Sequence, residues 1–294
     1  MFAVMTLRPF SRAAFIPPFV DFAAFAGQSI ALTGQRGVLG GILLEQLLQH
    51  GIAVAAFAGN VNDEAAVRHW FSAHRFTHCF HFAAVVPVAL VERDPLLAYQ
   101  TNVFGSFNIC KGVAATQPAC WLFHSSSSHV YQPTDTTISL TEDSPTVPRT
   151  FYGATKLAAE QTVNTVLTRL QRPYCIGRIF SFSHPRQQGD YLVPALQRNI
   201  QSLPAGAPLQ ISNPSSVRDI QDAEYVVDCI LQLARVRATG TVNIGTGTGL
   251  SVREIAAAVA RALGRSNLSI AGVDRDAPGS LIADTGRLRR FMAQ

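Results

Sequence analysis

The residues most suited to chemistry are a tyrosine and a lysine four positions apart, Tyr152 and Lys156. On a helix this spacing places both side chains on one face. A neighbouring ammonium favours the phenolate, so we expect Lys156 to lower the pKa of Tyr152 and to let it exchange a proton near neutral pH. Upstream, a serine run at 125–128 ends an apolar strand-like segment. A serine hydroxyl there can form a hydrogen bond with the substrate oxygen that exchanges a proton with Tyr152. The two segments together predict a proton-transfer site.

A glycine-rich stretch predicts the element that binds a ligand beside this site. The apolar run 30–32 leads through Thr33 into glycines at three-residue spacing, and apolar residues then recur at helical spacing. This order is typical of strand, tight turn and helix, in which the helix N-terminus offers free N–H groups to a diphosphate. Gly34 permits the turn, Gly37 allows close approach of a ligand, and Gly40 allows tight packing. The predicted cofactor contacts in this turn are Gly34, Arg36, Gly37, Val38, Leu39 and Gly40.

The end of the next strand indicates which dinucleotide is preferred. An NAD-selective site normally offers a carboxylate to the adenosine ribose after the second strand. Here residues 52–57 read as that strand, and Ala58, Gly59 and Asn60 follow it. A 2′-phosphate would meet no like charge, and Arg36 could pair with it, which favours NADP over NAD. The alternative is that Arg36 is a solvated loop charge and the preference is relaxed.

Composition sets the protein class and the expected partners. The 294 residues are 48% hydrophobic and 15% charged, which describes one large globular domain or two unequal ones. The net charge of +5 suits anionic ligands, but without a basic run we expect no nucleic-acid partner. Five scattered cysteines argue against disulfides and zinc and favour a reducing cytoplasm. We expect no metal site, because structural roles account best for His74, His78 and His81.

Residues 1–27 form a separate segment rich in phenylalanine. Asp21 and the pair Pro17-Pro18 interrupt any apolar centre that a secretory signal would need. No stretch is apolar over the roughly 20 residues that a transmembrane helix requires, so we expect no membrane span. We predict an N-terminal extension that packs its aromatic residues on the body or on a second subunit. A membrane-surface role is the alternative.

With these motifs in place, the chain resembles the extended short-chain dehydrogenase/reductase family, in its group of nucleotide-sugar epimerases, dehydratases and reductases. The matching motifs, in order, are the loop 33–40, His81-Phe82-Ala83-Ala84, Asn102-Val103-x-Gly105, the serine run before Val130-Tyr131, and Tyr152-x-x-x-Lys156. The resemblance extends from about Gln28 to Leu288. It implies an α/β fold with a doubly wound parallel sheet of the Rossmann type over residues 28–180, to which 218–247 contribute. Residues 181–217 and 248–294 would form a smaller substrate-binding lobe.

The resemblance also implies roles for individual residues. Ser127, Tyr152 and Lys156 correspond to the catalytic set, although the serine run leaves Ser126 and Ser128 open as alternatives. Lys156 would also hold the nicotinamide ribose, and Arg218 would contact the substrate diphosphate unless it pairs internally with Asp219 or Asp222. Further cofactor contacts would be Asn60, Val61, Ala83, Ala84 and Asn102. Substrate contacts would be Val86, Ser128, His129, Ser181, Val193 and Arg218. A homodimer through the helices that carry Tyr152 and residues 94–113 is expected on the same ground.

The same resemblance narrows the reaction. A 4,6-dehydratase would carry an Asp-Glu pair where this chain has Ser128-His129. A 3,5-epimerising reductase would carry Cys and His where this chain has His129 and Tyr191. The pattern is closest to GDP-4-dehydro-6-deoxymannose reductases and predicts reduction of a nucleotide-linked 4-keto-6-deoxy sugar. A 4-epimerase would use the same Ser/Tyr/Lys set, and a non-catalytic dinucleotide sensor is the alternative from another class.

Overall fold

A computed structural model describes residues 17–294 except 87, 117–118, 135–136 and 276–278. The strands are β1 (Ile30–Thr33), β2 (Val54–Ala56), β3 (His78–His81), β4 (Trp121–Ser127), β5 (Tyr174–Ile179), β6 (Ser181–Ser183), β7 (Leu209–Ser212), β8 (Val217–Asp222), β9 (Gly240–Ile244), β10 (Gly249–Ser251), β11 (Ile270–Val273) and β12 (Ser280–Leu281). The helices are α1 (Val38–Gln49), α2 (Glu64–Ala73), α3 (Val88–Arg93), α4 (Pro95–Tyr99), α5 (Gly105–Thr116), α6 (Phe151–Arg169), α7 (Leu192–Ser202), α8 (Ala223–Arg235), α9 (Val252–Ala262) and α10 (Gly286–Met292). A π-helical segment (Gln100–Phe104) joins α4 to α5.

The central sheet has six strands in the order β2-β1-β3-β4-β5-β9, and every neighbouring pair is parallel. Parallel sheets are covered on both faces, so their strands are apolar on both sides. Trp121 and Phe123 on β4 face a core shared with α1, α8 and α10, whereas Leu122 faces a core shared with α2, α5 and α6. The predicted doubly wound α/β fold is therefore confirmed.

A second group of elements contains the smaller sheets and their own core. Strand β8 pairs with β6, β10 and β12, and β7 pairs with β11. Helices α7 and α9 contact one another, and Leu196, Ile200, Ile255 and Val259 form the core between these elements. The helix α9 begins with a capping box, in which Ser251 and Glu254 bond one another reciprocally. By contrast, α8, β9 and α10 pack with the large sheet.

The described part of the N-terminal segment packs on the large sheet's helices. Val20 and Phe25 are buried, and the ring of Phe22 stacks on His50 at 3.6 Å between centroids. The amide of Gln232 on α8 donates to the carbonyls of Pro18 and Phe19. Phe2, Phe10 and Phe15, which the prediction also included, lie outside the described residues. Across the described chain, no helix has both the length and the apolar character that crossing a bilayer requires.

Candidate active site

The glycine turn between β1 and α1 has the shape of a dinucleotide cradle. Gly34 has φ of +78°, and an added Cβ would lie 2.6 Å from the backbone nitrogen of Ala83. An added Cβ on Gly40 would lie 2.4 Å from the carbonyl oxygen of Gly34. At Gly37 the nearest atom would be 3.2 Å away, and the space is otherwise open. The fold itself thus requires Gly34 and Gly40, while Gly37 leaves the approach to the helix free.

The N-terminus of α1 faces this open space. Gly37 is the N-cap residue and makes no side-chain capping bond, so the first-turn N–H groups, including those of Val38 and Leu39, can bind an anion. The Leu39 side chain is buried in the core, and only its backbone can serve a ligand. Arg36 is exposed beside the turn. These features fit the diphosphate of a nicotinamide dinucleotide.

The end of β2 offers polar groups without a carboxylate. Asn60 is exposed, and its Oδ1 accepts from the N–H of Asn62. The carboxylate of Asp63 caps α2 by accepting from Ala66. Val61 is buried, and its carbonyl accepts from Asn108. Sequence reasoning missed Gln35, whose amide donates to the Phe57 carbonyl at 3.1 Å and ties the cradle to the end of β2.

Asn102 holds the loop that follows β3. Its Oδ1 accepts from the Val85 N–H at 2.7 Å, and its Nδ2 donates to the Thr155 hydroxyl on α6 at 3.0 Å. The Ala83 N–H donates to the Thr33 hydroxyl at 3.3 Å. The side chain of Asn102 therefore bonds protein groups, and it holds the start of the loop that follows β3 against α6. Within that loop Ala84 is partly exposed and Val86 is exposed.

The structure brings Ser127 and Tyr152 together. Ser127 ends β4, accepts from the His129 N–H at 3.2 Å, and forms a side-chain hydrogen bond with Tyr152. Tyr152 lies in the first turn of α6, where an added Cβ on Gly153 would lie 2.2 Å from the His129 carbonyl oxygen. The absence of a side chain at Gly153 thus lets α6 pack against the end of β4. Among the alternatives, Ser126 donates to the Glu160 carboxylate, and Ser128 is buried.

The predicted net lowering of the Tyr152 pKa is wrong for this structure, because burial outweighs the expected effect of the Lys156 charge. Burial raises the pKa of Tyr152 to about 12, although the hydrogen bond from Ser127 opposes this. Lys156 donates to the carbonyl of Ser125 at 2.5 Å, and burial lowers the pKa of Lys156 to about 8, with the charge of Glu160 opposing. Spacing along a helix indicates a shared face but not the burial of that face. Tyr152 is therefore a protonated phenol at neutral pH.

A buried ion pair between Glu160 and Arg178, which the sequence analysis missed, lies one helical turn from Lys156. Glu160, four residues after Lys156, binds the Arg178 guanidinium through several hydrogen bonds and a 2.8 Å ion pair. Arg178 also donates to the Glu142 carbonyl and stacks over the ring of Tyr131. The four-residue spacing from Lys156 to Glu160 on one helical face is the signal that could have identified it.

His129 and Arg218 face the same side of the site as Tyr152. The His129 ring meets the Tyr152 ring edge-on at 5.5 Å between centroids. Burial and the charge of Arg218 lower the pKa of His129 to about 4, so its ring is neutral. Arg218 donates to the carbonyls of Val217 and Gly279, each at 2.8 Å. The alternative of a pair with Asp219 is wrong, because that carboxylate accepts from Thr246, Gly247 and Ala283.

The second lobe contributes fewer of the predicted contacts. Val193 is 3% exposed and packs with Leu196 and Ile200, so burial argues against a side-chain contact with substrate. Ser181 begins β6 and is partly exposed. Sequence reasoning did not assign Tyr191, the N-cap residue of α7, yet it lies close enough to raise the pKa of Tyr152. Among the described residues, no group of three His, Cys, Asp or Glu side chains can hold a metal ion, and all five cysteines are buried free thiols.

A doubly wound parallel sheet with a glycine turn after its first strand and a Ser/Tyr/Lys cluster beside that turn defines an enzyme of the extended short-chain dehydrogenase/reductase class. A protein-family model described as GDP-mannose 4,6 dehydratase matches residues 44–282. The chain belongs to this family.

Individual relatives carry several activities. The UDP-glucose 4-epimerase of Halalkalibacterium halodurans is 25% identical over 90% of this chain and 89% of that protein. The dTDP-4-dehydrorhamnose reductase of Mycolicibacterium smegmatis is 32% identical, over 46% of this chain and 41% of that protein. The family is thus shared by 4-epimerases and reductases of nucleotide sugars.

Solved structures show the same fold. The Thermus thermophilus UDP-glucose 4-epimerase in complex with NAD superposes with a TM-score of 0.78 at 23% identity, over 89% of this chain and 92% of that chain. RMD from Pseudomonas aeruginosa complexed with NADPH superposes with a TM-score of 0.80 at 21% identity, over 90% and 92%. Since these neighbours bind NAD or NADPH, a nicotinamide dinucleotide is the cofactor class that the fold supports.

Proposed function

We propose that the protein is an NAD(P)-dependent oxidoreductase acting at C4 of a nucleotide-linked sugar, and that it reduces a 4-keto-6-deoxy sugar. The observation that carries this proposal is the placement of Tyr152, a half-buried phenol in the first turn of α6 that meets Ser127 at the end of β4 and has a pKa raised to about 12. A reductase needs a proton donor at the moment when the carbonyl oxygen becomes an alkoxide. Tyr152 is such a donor without any prior loss of a proton.

Each member of the catalytic set has a distinct task in this proposal. A bound reduced nicotinamide supplies the hydride in this chemistry. Ser127 donates a hydrogen bond to the carbonyl oxygen of the sugar and fixes its position. Tyr152 delivers its proton to the same oxygen as charge develops there. Lys156, held against the Ser125 carbonyl, places a positive charge beside the site and stabilises the phenolate that remains.

We assign the substrate contacts to residues on the side of the site where Tyr152 and His129 lie. We assign the sugar to His129, Ser181 and Val86, and the diphosphate to Arg218. The Ser128 side chain, which the sequence also predicted as a contact, is only 2% exposed and is not assigned. A neutral His129 ring can donate or accept a hydrogen bond with a sugar hydroxyl without adding charge. Nη1 of Arg218 donates to two backbone carbonyls, which fixes the plane of the guanidinium. The other N–H groups of the guanidinium remain as donors for phosphate oxygens. Val193 supports this surface from behind.

We further propose that NADP(H) is preferred over NAD(H). The end of β2 brings Asn60 and no carboxylate, and the exposed Arg36 stands in the cradle turn. A guanidinium recognises a 2′-phosphate through paired charge-assisted hydrogen bonds. A preference for NADP(H) also suits a reductase, which consumes the reduced cofactor at every turnover.

A 4-epimerase is the second candidate, favoured by the 4-epimerase activity of relatives such as the Halalkalibacterium halodurans protein. The same three side chains would serve, but the reaction would begin with removal of a proton from the sugar hydroxyl. Tyr152 would first have to lose its own proton, which its raised pKa opposes. Dehydration is disfavoured because Ser128 and His129 occupy the positions where an acidic pair would be needed.

One assay distinguishes the candidates. The purified enzyme is incubated with NADPH and a panel of UDP-, GDP-, CDP- and dTDP-linked 4-keto-6-deoxy sugars, and absorbance of the reduced nicotinamide is followed. A reductase consumes the cofactor in proportion to the sugar. Parallel incubations with the corresponding 4-hydroxy sugars, analysed by chromatography, show epimer formation without net cofactor change if the protein is a 4-epimerase. No consumption with any keto sugar would refute the reductase proposal.

We also propose a homodimer through the helices on the outer side of α6. Exposed apolar side chains lie on α4, the π-helical segment, the start of α5 and the start of α6. They are Leu96, Leu97, Phe104, Phe107 and Phe151. A contiguous exposed apolar surface of this kind marks an interaction site. Light scattering of the wild type and of Phe104→Glu tests this proposal. We expect the molar mass of a dimer for the wild type and of a monomer for Phe104→Glu, because the added charge disrupts the interface.

A further inference from the structure

A pair of buried histidines lies on the side of the central sheet that faces α6. His81 on β3 and His124 on β4 are register partners, and their ring centroids are 5.5 Å apart. Side chains alternate along a strand, so His124 shares its face with Ser126, which bonds Glu160 on α6. Both rings are buried, and burial lowers the pKa of each, with a smaller contribution in the same direction from the charge of Lys156. The mechanism described above uses neither ring.

His81 has its hydrogen-bonding capacity filled. The Ser106 hydroxyl donates to the Asn102 carbonyl at 2.6 Å, so it accepts from Nε2–H of His81 at 3.0 Å. Nδ1 of His81 then accepts from the Thr33 hydroxyl at 2.7 Å. His81 is thereby a neutral imidazole in one tautomer. It has no donor or acceptor left for His124.

His124 is different, because neither of its ring nitrogens has a hydrogen-bonding partner among the described residues. A neutral imidazole carries one donor and one acceptor, and buried polar groups that lack a protein partner are satisfied by internal water. Lys156 also has donors to spare, since its ammonium carries three and one goes to the carbonyl of Ser125. Ser125 follows His124 directly on β4, so the ammonium reaches the strand beside the imidazole.

We propose that His124 is a positioning residue for Lys156, and that it holds one internal water between its ring and the lysine ammonium. The inference rests on the proposed function for the role of Lys156 in catalysis. An acceptor for the ammonium favours its charged form and opposes the effect of burial. The imidazole–water unit therefore keeps Lys156 protonated and directed at the Tyr152 side of the site.

Other groups also act on the charge of Lys156. Tyr152 and Glu160 lie on its own helix, His81 on β3, and Arg178 on β5 is paired with Glu160. Of these groups, Glu160 favours the ammonium through its charge. Loss of the His124 contact leaves the Glu160 charge and the Ser125 carbonyl to favour the ammonium, so Lys156 would lose its proton at lower pH. The high-pH limb of kcat would move in the same direction.

The first test needs no substrate. Side-chain 15N NMR of the histidines in the full chain is recorded for the wild type and for Lys156→Met, and a crystal structure of the cofactor complex is refined to the resolution at which internal waters are ordered. We expect a bridging water and a change in the His124 nitrogen shifts on loss of the ammonium, with His78 unchanged. Absence of the water, or His124 nitrogen shifts that are the same in the wild type and in Lys156→Met, would overturn the proposal. This result stands even if no keto sugar is reduced.

The second test is kinetic and compares His124→Leu with His124→Gln. For His124→Leu we expect a roughly tenfold fall in kcat, KM within about twofold, and a high-pH limb about one unit lower. His124→Gln, which can still hold a water, should recover most of the loss. His78→Leu is the matched control, because His78 is a buried histidine on β3 that packs against Phe25 and Trp121. If His124→Leu moves the pH limb no further than His78→Leu, the role is structural and the proposal fails. Should His124→Leu not fold, the Gln variant and the NMR comparison decide.

Discussion

The cofactor cradle and the substrate side of the site are built in different ways. The cradle lies within one short segment, 33–40, and its geometry follows from Gly34 and Gly40, each of which closely approaches nearby backbone. The proposed substrate side is assembled from separate segments of the chain, including His129, Tyr191 and Arg218. A local site depends on residue type and spacing, whereas an assembled site depends on how distant elements bury one another. The predictions below test this difference.

The largest effect is expected from Tyr152→Phe, which removes the proton donor and leaves the ring. The rate of sugar reduction should fall by about 100-fold or more, since general acid catalysis contributes on that scale. NADPH affinity, measured by fluorescence titration, should change little because the cradle is untouched. Unchanged activity would remove Tyr152 from the mechanism and revive a non-catalytic, dinucleotide-sensing role.

A second comparison uses two glycines of the same turn. Gly34→Ala places a Cβ against the Ala83 backbone at positive φ and should lower the free energy of unfolding by about 2–4 kcal/mol. Gly37→Ala should cost less than about 1 kcal/mol, because its Cβ enters largely open space. Urea denaturation measures both.

The same pair separates folding from binding. Gly37→Ala should lower the affinity for NADPH by about tenfold while the protein remains folded, because the added methyl group lies where the diphosphate approaches. Equal affinity for NADPH in Gly37→Ala and the wild type would contradict the placement of the diphosphate at α1.

Arg36→Ala tests the choice of dinucleotide. We expect about a tenfold loss of affinity for NADPH and little change for NADH, because only the first carries the 2′-phosphate. Calorimetric titration with both cofactors measures the ratio. Arg68→Ala, an exposed arginine on α2, provides the control for general charge effects. A parallel loss for both cofactors would place Arg36 at the diphosphate instead.

The smallest effect concerns pH. Burial depresses the pKa of Lys156 to about 8, so its ammonium is complete well below that value and is lost as pH rises through it. If charged Lys156 supports the reaction, kcat should be halved near pH 8 and decline further above it. A stopped-flow pH series at saturating substrate measures this. A rate that stays constant to pH 10 would contradict the role of the ammonium.

Much of the fold could be predicted from sequence because its signals are local. The β1–turn–α1 unit, the Asp63 and Ser251 helix caps and the strand that ends in Ser127 all follow from neighbouring residues. The placement of Tyr152 and Lys156 on one helix, α6, follows from their four-residue spacing. Such features do not depend on which distant segment packs against them.

The remaining features depend on packing between distant segments. The sign of the Tyr152 pKa shift is set by burial and by Tyr191, which is far away in sequence. Val193 is enclosed by the core of the second lobe, and Arg218 binds the carbonyl of Gly279. Asn102 bonds Val85 and Thr155, partners on two other segments. The spacing of neighbouring residues predicts none of these contacts.

Gly153 sets the distance between the Tyr152 phenol and the strand that carries Ser127. Since even a methyl group there would collide with the His129 carbonyl, the helix cannot take on a side chain at that position without sliding outward. Variants that accept bulkier sugars therefore have to gain room at other residues of the proposed site, such as Ser181 and Tyr191. Engineering of substrate range in this enzyme should begin there and leave the helix in place.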